Sequence, residues 1–184
     1  MNAQLRNSPT SYGLVAQCLH WLVVAGVLVQ FTWAWRIDEA DSVRQEFALV
    51  NQHKSVGMTV LVLVVLRLAW RAFDRPPAPV AGRPRFERVA ASVTHWALYA
   101  LVLAMPLSGW VYTSAAGYGA EFFGLLDIPD LVGSDERLEE IFGELHELLA
   151  GLLGGVALLH AAAALRHHFL LRDEVLRRMV PFWR

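Results

Sequence analysis

Hydrophobic positions along this chain fall into four long runs, and most charged positions fall into blocks between them. A helix needs about 20 predominantly apolar residues to cross the hydrocarbon core of a bilayer. Each of the four runs meets that length, and they cover residues 14–35, 48–70, 89–113 and 141–165. The pattern therefore predicts an all-α fold, an integral membrane four-helix bundle formed by residues 1–184 as a single domain.

The amino-acid composition agrees with a membrane protein and argues against several other classes of protein. Hydrophobic residues make up 55% of the chain, more than an ordinary soluble domain of this length carries. The formal net charge of −1 argues against nucleic acid as a partner and leaves membrane lipid as the expected surroundings. Cys18 is the single cysteine, so the chain has neither an internal disulfide nor a C-x-x-C-H site for covalent haem.

The arginines predict which side of the membrane each connecting segment occupies. Residues 71–88 contain five arginines against two acidic residues, and the C-terminal tail is also rich in arginine. Residues 38–46 and 121–144 are instead mainly acidic. Because basic segments remain in the cytoplasm, both termini are expected there. The long outer segment, residues 114–140, is expected to hold a short interfacial helix around Leu138.

Five histidines lie within or at the edge of the predicted spans, where an ionisable side chain is costly and needs a partner. His146 and His160 share one helix, and their 14-residue interval corresponds to about 21 Å of rise and about 40° of rotation. One helix face therefore presents a histidine to each leaflet. His53 matches the depth of His146, and His20 matches the depth of His160. Two bis-histidine sites stacked in a four-helix bundle predict two haem groups.

Several residues near these histidines have two interpretations each. Gly57, one turn after His53, and the glycines within residues 150–155 would let a flat macrocycle approach the backbone or would let helices pack closely. Arg67 would bind a haem propionate or extend to the cytoplasmic interface. The fifth histidine, His95, has no unpaired histidine at its depth, so we expect a hydrogen bond to a propionate or a helix rather than ligation.

Three polar residues near the ends of the spans are the predicted catalytic positions. Lys54, beside His53, would bind a propionate of the outer haem or attract an incoming anion. His167 and His168 follow the fourth span at the inner surface. They are either solvated there or placed to protonate a reduced quinone. The residues themselves leave these alternatives open.

Short motifs recur along the chain in a distinctive order. They are Gln17-Cys-Leu-His-Trp21, His53-Lys-Ser-Val-Gly57, His95-Trp-Ala-Leu-Tyr99, Pro106-Leu-Ser-Gly-Trp110, His146-Glu147 and Leu159-His-Ala-Ala-Ala-Ala-Leu-Arg-His-His168. In this order and spacing the chain resembles the bacterial cytochrome b-561 family of small di-haem membrane proteins, which includes the enterobacterial superoxide oxidase. The resemblance extends from Tyr12 to Pro181.

The resemblance implies a multi-pass protein of the bacterial inner membrane with two non-covalent haems b. Its ligand pattern falls on four residues: His20, His53, His146 and His160. In the superoxide oxidase branch, superoxide donates an electron at the outer face and ubiquinone accepts it at the inner side. By resemblance, superoxide would approach near Lys54, and ubiquinone would bind near His167, His168 and Arg71.

The charge of the outer loops bears on the choice between functions. Superoxide is an anion and both outer loops are net acidic, so its approach depends on a local positive patch at Lys54, Arg36 and Arg137. The leading expectation is a quinone-linked oxidoreductase. The second is an electron-transfer subunit that anchors a hydrogenase- or dehydrogenase-like partner. A metal transporter is disfavoured, because the spans hold no carboxylate near mid-depth.

Overall fold

The structure, a computed structural model, describes residues 4–80 and 82–181 and is built around four long helices. They are α1 (Leu14–Asp38), α2 (Val43–Phe73), α3 (Arg85–Ala115) and α4 (Glu136–Phe169). Each helix is long and apolar enough to cross a membrane, and each contains one of the predicted spans. The prediction of an all-α membrane four-helix bundle is confirmed.

Side-chain caps fix where two of the helices begin. Ser42 precedes α2 and accepts a hydrogen bond from the Gln45 N–H. Asp135 precedes α4, and its carboxylate accepts hydrogen bonds from the N–H groups of Arg137 and Leu138 at 2.9 and 3.0 Å. Leu138 therefore lies in the first turn of α4. The predicted separate interfacial helix around Leu138 is wrong, because this cap joins the segment directly to the fourth span.

A β-hairpin occupies part of the connection between α3 and α4. Its antiparallel strands are β1 (Ala120–Phe122) and β2 (Leu126–Ile128). The turn places Phe123 and Gly124 at φ of 52° and 68°, a conformation that glycine adopts readily and other residues rarely. Ser55 of α2 accepts the Phe123 N–H at 3.0 Å, so the hairpin is fastened to α2. Three-residue strands are too short to show in an apolar pattern, and the sequence reading missed them.

The four helices associate as two pairs. α1 packs against α2 and α3 against α4, while α2 also contacts α3 and joins the pairs. At Gly26 the first pair approaches closely, since an added Cβ would lie 2.5 Å from Cγ2 of Val60. The backbones of α1 and α4 come close at few positions, and these helices meet mainly through side chains such as Phe31, which lies near Gly154. Along the α1–α4 side the two pairs are therefore joined by side chains rather than by close backbone packing, and we call this region the α1–α4 slot.

The core is small and lies midway along the bundle. Its buried members are Val23, Val60, Val64, Val102 and Leu153. Most other apolar side chains on the helices face outward, as expected for a surface that meets lipid. The core lies between the two histidine levels, because Val60 follows His53 and Leu153 lies between His146 and His160.

The two ends of the bundle differ strongly in charge. The N-terminal segment, residues 74–84 and the segment after α4 share one end, which the Asn7–Asp74 hydrogen bonds help to hold together. At the other end, residues 36–54 and 116–147 carry thirteen acidic and four basic side chains, a net charge of −9. The rest of the chain carries four acidic and twelve basic side chains, a net charge of +8. We call these the acidic end and the basic end.

Candidate functional site

Two histidine pairs lie at different ends of the bundle. At the acidic end the ring centroids of His53 and His146 are 6.2 Å apart, and at the basic end those of His20 and His160 are 6.3 Å apart. With about 2 Å for each metal–nitrogen bond and about 1 Å from each nitrogen to its ring centre, two imidazoles on one metal have centroids about 6 Å apart. Both pairs therefore have the spacing of two axial ligands on one iron. They are the pairs that helical periodicity predicts.

Ser108 of α3 orients the His146 ring. Its hydroxyl donates to the Met105 carbonyl at 2.8 Å and lies 3.0 Å from Nδ1 of His146. Because the hydroxyl proton is directed to Met105, the hydroxyl oxygen accepts the Nδ1–H of His146. That tautomer leaves the Nε2 lone pair available, and a hydrogen bond of this kind is the usual support for a metal-bound histidine.

Gly109 gives the His146 ring its space. A Cβ at this position would lie 2.9 Å from Cε1 and 3.2 Å from Nδ1 of His146, closer than side chains normally approach. Sequence reasoning did not select Ser108 or Gly109 as site residues. Both lie in the motif Pro106–Trp110, but that motif does not reveal which residue of another helix it faces.

His53 is supported through its backbone. Nε2 of Gln30 donates to the His53 carbonyl at 3.1 Å. Gly57 leaves room for that amide, since a Cβ there would lie 2.9 Å from Gln30 Nε2. Nδ1 of His53 is buried and has no hydrogen-bond partner among residues 4–80 and 82–181. An orphaned polar atom of this kind calls for a partner, and a group bound in the cavity that His53 lines would supply one.

A cavity of about 490 Å³ lies at the acidic-end pair and is lined by all four helices. This volume is within the range of about 300–1,000 Å³ that is typical of cofactor and ligand pockets. Its lining includes His53 and His146 together with apolar side chains such as Val60, Met105 and Leu153. Two facing imidazoles and an apolar wall fit a non-covalent haem. Gly57, a predicted cofactor-binding residue, also lines this cavity.

Three histidines meet at the basic end. The ring centroid of His95 is 5.4 Å from that of His160, closer than the 6.3 Å between His20 and His160. The shorter distance is below the value of about 6 Å for two imidazoles on opposite sides of one metal. His95 therefore lies beside a ligand pair without replacing either member. The sequence showed no unpaired histidine at the depth of His95. It did not predict that His95 would lie beside His160, which already pairs with His20.

Two further predicted residues donate to backbone carbonyls. Nη1 of Arg67 donates to the Ala16 carbonyl of α1 at 3.1 Å. Nζ of Lys54 donates to the Gly119 carbonyl at 2.9 Å and so ties α2 to the segment that precedes the hairpin. Lys54 follows the candidate ligand His53, but its ammonium group donates a hydrogen bond within the protein. The ammonium group of Lys54 therefore has a structural contact in addition to any role in attracting an anion.

His167 lies in an ionic cluster after α4. Its Nε2 accepts from Arg83 at 2.9 Å, and its Nδ1–H donates to Asp173 at 2.8 Å. Arg83 also pairs directly with Asp173. Burial acts to raise the pKa of Asp173, but hydrogen bonds to its carboxylate and the nearby positive charges outweigh it and lower that pKa. Both ring nitrogens of His167 are thus occupied, while the ring of neighbouring His168 packs edge-on against Phe169.

These features define a class of protein. Four membrane-spanning helices, a pair of facing histidines at each end and an apolar cavity at one of them fit the plan of a membrane cytochrome b. In such proteins the helices position a redox cofactor, and the cofactor performs the electron transfer.

The chain belongs to the prokaryotic cytochrome b561 family, whose model matches residues 11–182. Cytochrome b561 homolog 2 of Escherichia coli K12 is 30% identical over 177 residues, which cover 95% of this chain and 93% of the relative. The probable superoxide oxidase CybB of Yersinia pestis is 32% identical over 164 residues, 89% and 92% of the two chains. Cytochrome b562 of Cereibacter sphaeroides is 31% identical over 167 residues, 88% and 90% of the two chains. The protein is therefore a haem b-binding electron-transfer protein of a bacterial membrane.

Proposed function

We propose that the chain is a di-haem b oxidoreductase that passes electrons from a donor at the acidic end to ubiquinone at the basic end. The two histidine pairs carry this proposal, because each has the spacing of two axial ligands on one iron. His146 and His160 are separated along α4 by about 21 Å. Haem b supplies one-electron chemistry. The bundle holds the two ligand pairs at a fixed separation and fills the space between them with an apolar core.

The charge difference between the ends supports an orientation in the bacterial inner membrane. Basic segments are retained in the cytoplasm during insertion. The basic end, with a net charge of +8, would therefore face the cytoplasm. Under this assignment both termini are inside, the donor arrives from the outer face, and the quinone is reduced near the inner face.

Superoxide is the first candidate donor, because one relative is named as a probable superoxide oxidase. Lys54, next to His53, would lower the local repulsion that an anion meets. The net charge of −9 at the acidic end opposes superoxide at longer range. This opposition favours a second candidate, an electron-transfer subunit whose donor is a cationic carrier or a hydrogenase- or dehydrogenase-like partner.

At the basic end we assign different roles to the two terminal histidines of α4. His167 is held between Arg83 and Asp173, so its ring is fixed and its proton is directed to a carboxylate. His168 is the residue that we assign to proton delivery when ubiquinone is reduced. His167 would hold the segment after α4 in place beside it through Arg83 and Asp173.

The proposal predicts how the reduction of haem by superoxide depends on salt and on Lys54. Purified protein should contain two haems b per chain, and a superoxide pulse should reduce them, with reoxidation by a ubiquinone analogue. Because the acidic end repels an anion, the rate of reduction should rise with ionic strength. Lys54→Gln, which keeps a donor for the Gly119 carbonyl, should lower that rate. Stopped-flow absorbance at several salt concentrations measures both effects.

Arg44→Gln is the matched control, since it removes one positive charge from an exposed position at the same end. It should change the rate less than Lys54→Gln. If the protein binds two haems but superoxide does not reduce them at any ionic strength, superoxide is excluded as the donor. The alternative with a partner protein would then be supported. A preparation without haem would contradict the proposed function altogether.

The angle between paired histidine rings gives a spectroscopic prediction. The rings are inclined by 75° at the acidic end and 83° at the basic end. Nearly perpendicular axial imidazoles leave two iron d orbitals close in energy. We therefore expect the oxidised protein to show strongly anisotropic low-spin EPR signals with a large maximum g value. Rhombic spectra typical of parallel rings would contradict the ring arrangement. His95→Ala should leave both signals in place.

A further inference from the structure

Two arginines on α2 lie one turn apart at the basic end. Arg67 and Arg71 are at positions i and i+4, so two like charges share one side of the helix. Within residues 4–80 and 82–181, neither forms an ion pair with a carboxylate. Charges at membrane depth are costly unless they are paired. The arginine pair therefore lacks an anion.

Both guanidinium groups lie against α3, where they share the Tyr99 ring. Arg67 donates to the carbonyl of Ala16, in the first turn of α1. Cζ of Arg67 lies 5.8 Å from the centre of the Tyr99 ring, and Cζ of Arg71 lies 5.6 Å from it. Tyr99 is one turn along α3 from His95. Extension outward to the lipid interface, the alternative that the sequence left open for Arg67, would not produce these contacts.

Helical periodicity places Arg67 at the level of the basic-end histidine pair. Arg67 follows His53 on α2 by the same 14 residues that separate His146 from His160 on α4. Fourteen residues return a helix to nearly the same face about 21 Å further on. α2 therefore supplies an axial ligand at the acidic end and a cation at the corresponding position of the basic end.

A small cavity of about 20 Å³ adjoins both arginines and brings other donors to them. Tyr12 and Trp70 also line it, and Nε1 of Trp70 is buried without a hydrogen-bond partner in the described part of the chain. Burial raises the pKa of Tyr12 although Arg71 acts to lower it, so the phenol remains protonated and can donate. Asp74 lines the cavity as well, but its carboxylate accepts the Asn7 N–H at 2.8 Å and pairs with neither arginine.

We propose that Arg67, Arg71 and Tyr12 form a carboxylate clamp for the propionates of the basic-end haem. The clamp rests on the proposed function, because it requires a haem between His20 and His160. A guanidinium group matches a carboxylate with two parallel hydrogen bonds, and a charge-assisted bond is about twice as strong as a neutral one. The clamp would orient the propionate edge of the macrocycle toward α2 and the start of α1.

The clamp also affects the redox potential of one haem. Reduction adds one electron, so positive charge near the propionates stabilises the reduced state. Arg71→Gln should therefore lower the midpoint potential of the basic-end haem and leave the acidic-end haem unchanged. Redox titration of the purified holoprotein, followed by absorbance, measures both potentials. His160→Ala, which removes a basic-end ligand, identifies which component belongs to which haem.

Matched variants separate a local effect from a general one. Arg75→Gln removes an exposed charge four residues further on and should shift neither potential. Arg71→Lys keeps the charge and should restore most of the wild-type potential. Arg67→Gln should act in the same direction as Arg71→Gln.

Three results would overturn the clamp. Unchanged potentials in both glutamine variants would do so, as would an equal shift of the two haems. Loss of co-purified anionic phospholipid from Arg71→Gln, with both potentials unchanged, would assign the arginine pair to a lipid phosphate instead. None of these results resembles failure of the proposed function, which would appear as wild-type protein without two haems.

Discussion

Replacement of His160 by alanine is expected to reduce the haem content from two per chain to one and to abolish ubiquinone reduction. His160 supplies one of the two ring nitrogens at the basic end, and its ring is 6.3 Å from that of His20. A single remaining imidazole does not complete a six-coordinate site. The acidic-end haem should stay bound, because its ligands are about 21 Å away along α4. Haem quantification per chain and the dithionite-reduced spectrum measure the outcome.

His95→Ala is the matched control for this variant. Its ring lies 5.4 Å from the same His160 ring, so the substitution removes a histidine from the same cluster. It should leave two haems bound, because the His95 and His160 rings are closer than two imidazoles on opposite sides of one iron. Retention of both haems in His160→Ala, or loss of one haem in His95→Ala, would show that the basic-end pairing is wrong.

Replacement of Gly109 by valine is expected to remove the acidic-end haem and leave the basic-end haem in place. Even the Cβ of alanine would lie 2.9 Å from Cε1 of His146. Overpacking a tight contact costs about 1–3 kcal/mol, and the imidazole can escape this cost only by turning away. Turning would also break the hydrogen bond from Nδ1 to Ser108. The haem content should therefore approach one per chain for valine, with an intermediate loss for alanine.

Gly143→Ala tests whether the loss is specific to the His146 ring. Gly143 lies on α4 near His146, and its added Cβ would be 3.5 Å from the Tyr112 ring, an ordinary contact. This variant changes the same α3–α4 interface by the same methyl group and should keep both haems. If Gly109→Val retained full haem content with an unchanged EPR spectrum, the close contact would not constrain ligation.

The parts of the fold that the sequence predicts depend on periodicity within single segments. Hydropathy is sufficient to locate the four helices, since each needs only an unbroken apolar run. The pairing of His146 with His53 follows from depth, which is proportional to residue number along a helix. The hairpin around Phe123 was missed because its strands have three residues each. The separate helix around Leu138 was wrong because the Asp135 cap starts α4 earlier than the apolar run does.

Contacts between helices were beyond what the sequence could predict. Ser108 and Gly109 act on a ring carried by another helix, and rotation of α3 about its axis decides whether they meet it. The occupation of His167 by Arg83 and Asp173 likewise depends on how two connecting segments fold back at one end. A single sequence contains the periodicity of each helix but not their relative rotation. The four candidate ligand histidines could be selected from the sequence, while the residues that contact their rings required the structure.

The α1–α4 slot has a consequence for biogenesis. The backbones of α1 and α4 come close at few positions, and His20 and His160 approach each other across that boundary. Iron bound by both would fasten two helical hairpins that otherwise adhere mainly through α2 and α3. Newly inserted chains in an iron-starved cell would therefore remain as loosely docked hairpins, open to membrane proteases. The abundance of this protein would then follow the supply of haem as well as the rate of its synthesis.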